Sequence, residues 1–264
     1  MQLPLVELAL WNLWAFTGLL FLVGMALFAC GYFFGRRRMS NGNEPTEGAK
    51  LVAGAILALT AFVLALTLSF ASNRMQERRD EGKEEANAIG TAWLQAKAIG
   101  EPEGDAIAVL FEKYIVLRRD SLLLDALDPK IEAVSAEVGA LQTEIWTHVT
   151  ALVRARPDPV ATSVMNSVNN AFDMTTSERL AVSNQMPAEL TFLLLGLVLA
   201  GIFVVGLQLG FVGRPHPALS VVLIALWVYV VVLILDFGNS RVGNFRTSLA
   251  AYDMTISGFG PPSN

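Results

Sequence analysis

The chain has 264 residues, 53% hydrophobic and 16% charged, with a formal net charge of −5. That acidic balance argues against nucleic acid as a partner, since phosphate binding needs a basic patch. A single cysteine, Cys30, excludes an intrachain disulfide framework or a cysteine-based metal site. It sits within an apolar run and reads as a small packing residue.

Four long apolar runs frame a polar middle: Leu8–Phe34, Leu51–Ser72, Leu190–Val212 and Leu219–Leu235. Crossing a hydrocarbon core of about 30 Å takes roughly 20 helical residues, and each run is of that order. Within the runs charge lies only at the ends, and almost all of the rest falls in Arg74–Glu189 and the loop after the first run, so the chain reads as an integral membrane protein rather than a soluble domain. The expected organisation is a first helix pair with a short polar loop over 1–73, an extramembrane helical domain over 74–187, a second helix pair over 188–238 and a tail over 239–264.

The first run has Trp11 and Trp14 at one end and Tyr32, Phe33 and Phe34 at the other, as interfacial belts do. It opens Met1-Gln2-Leu3-Pro4 with Glu7, not on a basic segment, and closes on Arg36-Arg37-Arg38, so a permanent helix is expected rather than a cleaved leader. Gly31 and Gly35 lie four apart near its end. The loop that follows carries the turn-rich Asn41-Gly42-Asn43-Glu44-Pro45.

In the second run Gly54, Ala58, Ala61 and Ala65 give a small-residue surface that lets helix backbones approach in lipid. Thr60 and Thr67 lie seven apart and share a face, with Ser69 nearby. They form a candidate polar path. The competing reading is that each hydroxyl bonds back to the carbonyl four residues earlier.

The middle reads as helical throughout, punctuated by Gly100-Glu101-Pro102, Asp128-Pro129 and Pro157-Asp158-Pro159. Ile131, Val134, Val138, Leu141, Ile145, His148 and Leu152 step by three and four, a coiled-coil-like seam. Ile107, Leu110, Phe111, Tyr114 and Leu117 form a second stripe. Val164, Val168 and Phe172 form a third. A helical bundle continuous with the second span at its start and the third at its end is expected, with Asp128 ahead of Pro129 capping the seam helix.

The third run contains Gly206-x-x-x-Gly210 and Gln208, an amide that needs a partner in lipid. Asp236 closes the fourth, a functional position by default so near hydrocarbon, with Arg241 or Arg246 as alternative structural partners. Arg36–Arg38 favour a cytoplasmic first loop, whereas Arg74, Arg78, Arg79, Lys83, Arg241 and Arg246 favour the opposite side, so charge counting selects no orientation.

The segment from Glu84-Glu85-Ala86-Asn87 through Gly90-Thr91-Ala92-Trp93-Leu94 resembles the signature of a bacterial membrane family called bestrophin-like, a domain of unknown function. Val168-Asn169-Asn170-Ala171-Phe172-Asp173, Arg179, Pro187, Leu235-Asp236-Phe237 and Arg241-Val242-Gly243 fit the same resemblance in order. It implies an all-α membrane protein of the bacterial inner membrane with four transmembrane helices, and a helical bundle inserted between helices two and three. True bestrophins are pentameric anion channels, so a homo-oligomeric channel-like or transport protein is implied, the likeness being one of architecture. The polar cluster it singles out is Glu84, Glu85 and Asn87 with Asn169, Asp173 and Arg179. Arg179 could pair with Asp173 or with the Glu84–Asn87 helix. The competing reading of Glu84, Glu85 and Asn87 is a solvated helix face.

The alternative function is a membrane-anchored scaffold or sensor whose extramembrane domain binds a protein through the His148 seam. Only His148 and His216 occur, with no P-loop, no Gly-x-Ser-x-Gly and no His-x-x-x-His, so no catalytic residue, metal site or cofactor is expected.

Overall fold

A computed structural model describes residues 13–42, 44–100, 102–124, 128–184, 186–213, 216–238 and 248–260. Leu8, Trp11, Asn43, Glu101, Arg214, Pro215, Arg241, Val242, Gly243 and Arg246 lie outside the described residues, as does the chain start through Glu7. The described residues form eight helices and no strand: α1 Leu13–Ser40, α2 Glu47–Ile99, α3 Pro102–Ser121, α4 Lys130–Ala155, α5 Pro159–Ser183, α6 Ala188–Val212, α7 Pro217–Gly238 and α8 Ala250–Gly258. They divide into a unit of Met1–Arg74 with Gln185–Asn244 and a unit of Met75–Asn184 with Phe245–Asn264.

The first unit holds four helical stretches long and apolar enough to cross a membrane. Its tightest joint is α1 against α6, where the two glycine pairs meet each other. A Cβ on Gly31 or Gly35 would sit 2.3 Å from the carbonyl oxygen of Phe203 or Leu207, and one on Gly206 or Gly210 would sit 2.3 Å from that of Phe28 or Tyr32. The four glycines thus let the two backbones touch, each presenting a Cα hydrogen to a facing carbonyl. Around this joint Phe16, Leu20, Leu194, Ile202, Ile224 and Val228 close the apolar core.

The end of α6 needs a glycine. Gly213 has φ +74, its N–H reaches Leu209 O at 3.1 Å, and its own carbonyl accepts from Arg36 Nη1 at 3.0 Å. A left-handed residue stops the helix at low cost only when it lacks Cβ.

The expected continuity differs at its two ends. α2 is one unbroken helix of 53 residues, so the second apolar run does continue into the Glu84–Asn87 segment. α5, however, ends at Ser183, and α6 starts only at Ala188 behind Pro187. Proline has no N–H to donate and pushes the residue before it out of the helical region.

The second unit is a bundle of the later part of α2 with α3, α4, α5 and α8. All three expected stripes lie in its core, with Phe111, Tyr114, Ile145 and Val168 fully buried. Asp128 Oδ1 accepts from Lys130 N at 2.8 Å, and Asp158 caps α5 by accepting from Val160 N and Ala161 N, both at 2.9 Å. These carboxylates satisfy helix-start donors that have no intrahelical acceptor. Within the α4 seam, Val138, Ile145 and Leu152 are at most 1% exposed and pack against the chain's own bundle. His148 ends in a hydrogen bond within the same bundle, Nδ1 lying 2.6 Å from Glu103 Oε2. The tail contributes to the core as well: Tyr252 of α8 is fully buried, and Phe259 stacks on Trp93 at 4.7 Å between centroids.

Candidate functional site

In the membrane unit the hydroxyls of α2 take the back-bonding option. Thr60 is fully buried and donates to Ile56 O at 2.8 Å and to Leu197 O of α6 at 3.2 Å. Thr67, 6% exposed, donates to Val63 O at 2.7 Å and Leu64 O at 3.1 Å. Both hydroxyls therefore face protein. Ser69 lies on the outward face. Gln208 is half-buried on α6, Asp236 is buried at the end of α7, and neither joins Thr60 or Thr67 in a continuous polar line. Arg241 and Arg246, the expected partners of Asp236, are outside the described residues.

The bundle separates the motif residues. Glu84 and Asn87 are exposed, whereas Glu85 is fully buried. Successive helical residues point about 100° apart, so adjacent carboxylates diverge. Arg118 of α3 meets Glu85 with two parallel bonds, Nε to Oε1 at 2.6 Å and Nη2 to Oε2 at 3.1 Å. Its Nη2 also reaches Glu178 Oε2 of α5 at 2.5 Å. Thr175 Oγ1 donates to Glu85 Oε1 at 2.7 Å, and the Tyr252 hydroxyl of α8 donates to Glu85 Oε2. Gln142 Nε2 of α4 donates to the Tyr114 hydroxyl at 2.9 Å, which lies 2.8 Å from Thr175 Oγ1. The Glu85 carboxylate thus receives four bonds, about the full capacity of its two oxygens. Helices α2, α3, α5 and α8 meet at this one carboxylate, and α4 joins them through Gln142 and Tyr114.

Burial works against charge on Arg118, yet the Glu85 and Glu178 carboxylates more than offset it and hold the guanidinium protonated. Burial, reinforced by the charges of Glu85 and Glu178, pushes the Tyr252 phenol well above its ordinary value. Burial likewise pushes Tyr114 up to about 12 from 10.0. Both phenols carry a raised pKa in the folded state, so their stabilising contribution is complete below about pH 10, the free-phenol value, and is lost as pH rises through the folded values. Stability measured between pH 8 and 12 should accordingly collapse above pH 10, and Tyr252→Phe should flatten that limb while lowering stability at pH 8 by about 1–3 kcal/mol.

Asn169 Nδ2 donates to Asp173 Oδ2 at 2.9 Å on the surface of α5. Arg179 pairs with neither Asp173 nor the Glu84–Asn87 segment; it donates to Ser135 of α4. Positions six apart on a helix face about 120° away from each other, which removes Arg179 from the Asp173 side.

The expectation missed Arg118, Tyr114, Thr175, Glu178 and Tyr252 as members of this network. For three of them a signal exists: Arg118 extends the stripe through Phe111 and Tyr114, and Thr175 and Glu178 continue the one through Val164, Val168 and Phe172. A charge at the next position of a buried stripe implies a buried partner. Chemically, the Glu85 carboxylate is consumed by structural bonds, and no group of three or more potential metal ligands occurs among the described residues.

Fold and polar pattern define an all-helical integral membrane protein. Its fold is that of a bacterial bestrophin homologue from Klebsiella pneumoniae: a solved structure of that protein superposes with a TM-score of 0.70 at 15% identity over 91% of this chain and 96% of the other. A point variant of the same homologue gives a TM-score of 0.71 at 15% identity, over 92% and 98% of the two chains. The bestrophin-like resemblance of the motifs is thus matched by the architecture. No protein-family model and no curated protein matches the sequence.

Proposed function

We propose that the chain assembles with copies of itself into a channel-like, ion-conducting protein of the bacterial inner membrane, crossing it four times, with α2 facing the pathway. The observation that carries this reading is the outward face of α2. Gly54, Ala58, Ala61, Ala65 and Ser69 are all exposed there, and a Cβ on Gly54 would meet nothing within 4 Å. Gly31, Gly35, Gly206 and Gly210 are used up between α1 and α6, whereas the small residues on the outward face of α2 are left for other copies to approach. Leu59, Phe62 and Leu66 beside them are 50%, 60% and 53% exposed. Gln208, half-buried among apolar neighbours, is a further position where a second copy or water would supply a partner.

The shared fold with a bestrophin homologue supports the same conclusion, and anions are the ions that the bestrophin resemblance implies. Ser69 replaces Thr60 and Thr67 as the α2 pathway residue, because their hydroxyls are turned inward. Native mass measurement in lipid nanodiscs should give a multiple of 28.6 kDa. A stable monomer in lipid would contradict the reading.

A further inference from the structure

The bundle carries an open groove of about 670 Å³ between the outer faces of α4 and α5. Its wall is aromatic where Trp146, 39% exposed, meets Phe172 with ring centroids 6.3 Å apart. Arg154 lies at one end, on the exposed side of α4, and forms no ion pair among the described residues. No acidic residue lines the groove. Thr143, Thr147 and Thr150 each donate to the carbonyl four residues earlier at 2.8–2.9 Å, so the hydroxyls offer the groove acceptor lone pairs. Gln142 and Asn169 spend an N–H on Tyr114 and Asp173, leaving amide oxygens to accept as well.

A cation at one end, a ring wall and a row of acceptors define the complement of one ligand class. We propose that this groove binds a small planar aromatic carboxylate bearing an N–H or O–H donor on its ring. The carboxylate pairs with Arg154, the ring lies against Trp146 and Phe172, and the donor faces the threonine row. The volume falls within the range of small-molecule sites, roughly 300–1,000 Å³, and charge-assisted pairing with a guanidinium is the strongest polar contact on offer. This assignment is independent of conduction.

Gly139 makes the test clean. It lines the groove, and a Cβ there would meet nothing within 4 Å, so Gly139→Leu directs its side chain into the groove from an unobstructed Cβ. The experiment is calorimetric titration of the full chain in lipid nanodiscs, empty discs serving as blank, with indole-3-acetate as probe. Saturable binding is expected, weakened at least about tenfold with indole-3-acetamide, which lacks the charge, and with 1-methylindole-3-acetate, which lacks the donor. Arg154→Gln should weaken indole-3-acetate about tenfold and leave the amide unchanged. Trp146→Ala should weaken both, and Gly139→Leu should abolish binding without lowering the thermal midpoint, because leucine suits a helix interior better than glycine. Absence of saturable binding, or binding indifferent to Gly139→Leu and Arg154→Gln, overturns the assignment. So does a loss of oligomeric mass in Trp146→Ala or Gly139→Leu, which would mean that a second copy fills the groove.

Discussion

Gly206→Ala is expected to loosen the α1–α6 joint and lower stability by about 1–3 kcal/mol, the cost of overpacking a closed interface. The added methyl would stand 2.3 Å from the Phe28 carbonyl oxygen and 3.1 Å from Phe28 Cα, and backbone cannot rotate away as a side-chain tip can. Gly31→Ala, Gly35→Ala and Gly210→Ala meet carbonyls at the same distance and should each cost a similar amount. Gly18→Ala and Gly196→Ala meet nothing within 4 Å and serve as controls. Thermal denaturation in detergent decides the matter. Interface variants should melt lower than both controls, and equal midpoints across the two groups would mean that the backbones do not touch.

Arg118→Met should be among the most damaging single changes in the bundle, at about 3–5 kcal/mol, because it strips a buried carboxylate of its counter-charge. Glu85 would keep only the Thr175 and Tyr252 hydroxyls, and Glu178 would lose its Arg118 contact at 2.5 Å. The loss comes from stranded charge rather than from missing volume. Arg118→Met combined with Glu85→Met and Glu178→Met should therefore recover much of the stability, since an apolar set of similar size avoids desolvating ions altogether. A triple variant as unstable as the single one would show that the network holds the bundle by geometry that apolar packing cannot replace.

Much of this architecture is legible in the sequence because it rests on periodicity and length. The apolar runs, the α4 seam from Ile131 to Leu152 and the stripes of α3 and α5 each report a face that must be covered. The glycine pairs at 31/35 and 206/210 announce close packing, but spacing within one helix cannot name the helix opposite. That pairing is a tertiary fact. The break ahead of α6 was foreshadowed by Pro187 itself. Glu85 was singled out together with Glu84 and Asn87, yet only Glu85 is buried, and the angle between successive helical positions is what separates them. Arg118 and Glu178 could have been found as charges extending buried stripes. Tyr252 could not. It sits in a helix of nine residues, too short to show a period, and its partner Glu85 lies 167 residues away.

The central claim is conduction along the outward face of α2, and ion flux from liposomes holding the purified protein tests it most directly. Ser69→Phe and Ala65→Phe place bulk on that face, while Thr60→Val alters the inward one. The account predicts ion-selective flux from the unaltered chain, strongly reduced by Ser69→Phe and Ala65→Phe and nearly unchanged by Thr60→Val. Absence of flux across several salts, or flux indifferent to both phenylalanines in a correctly assembled protein, would contradict it.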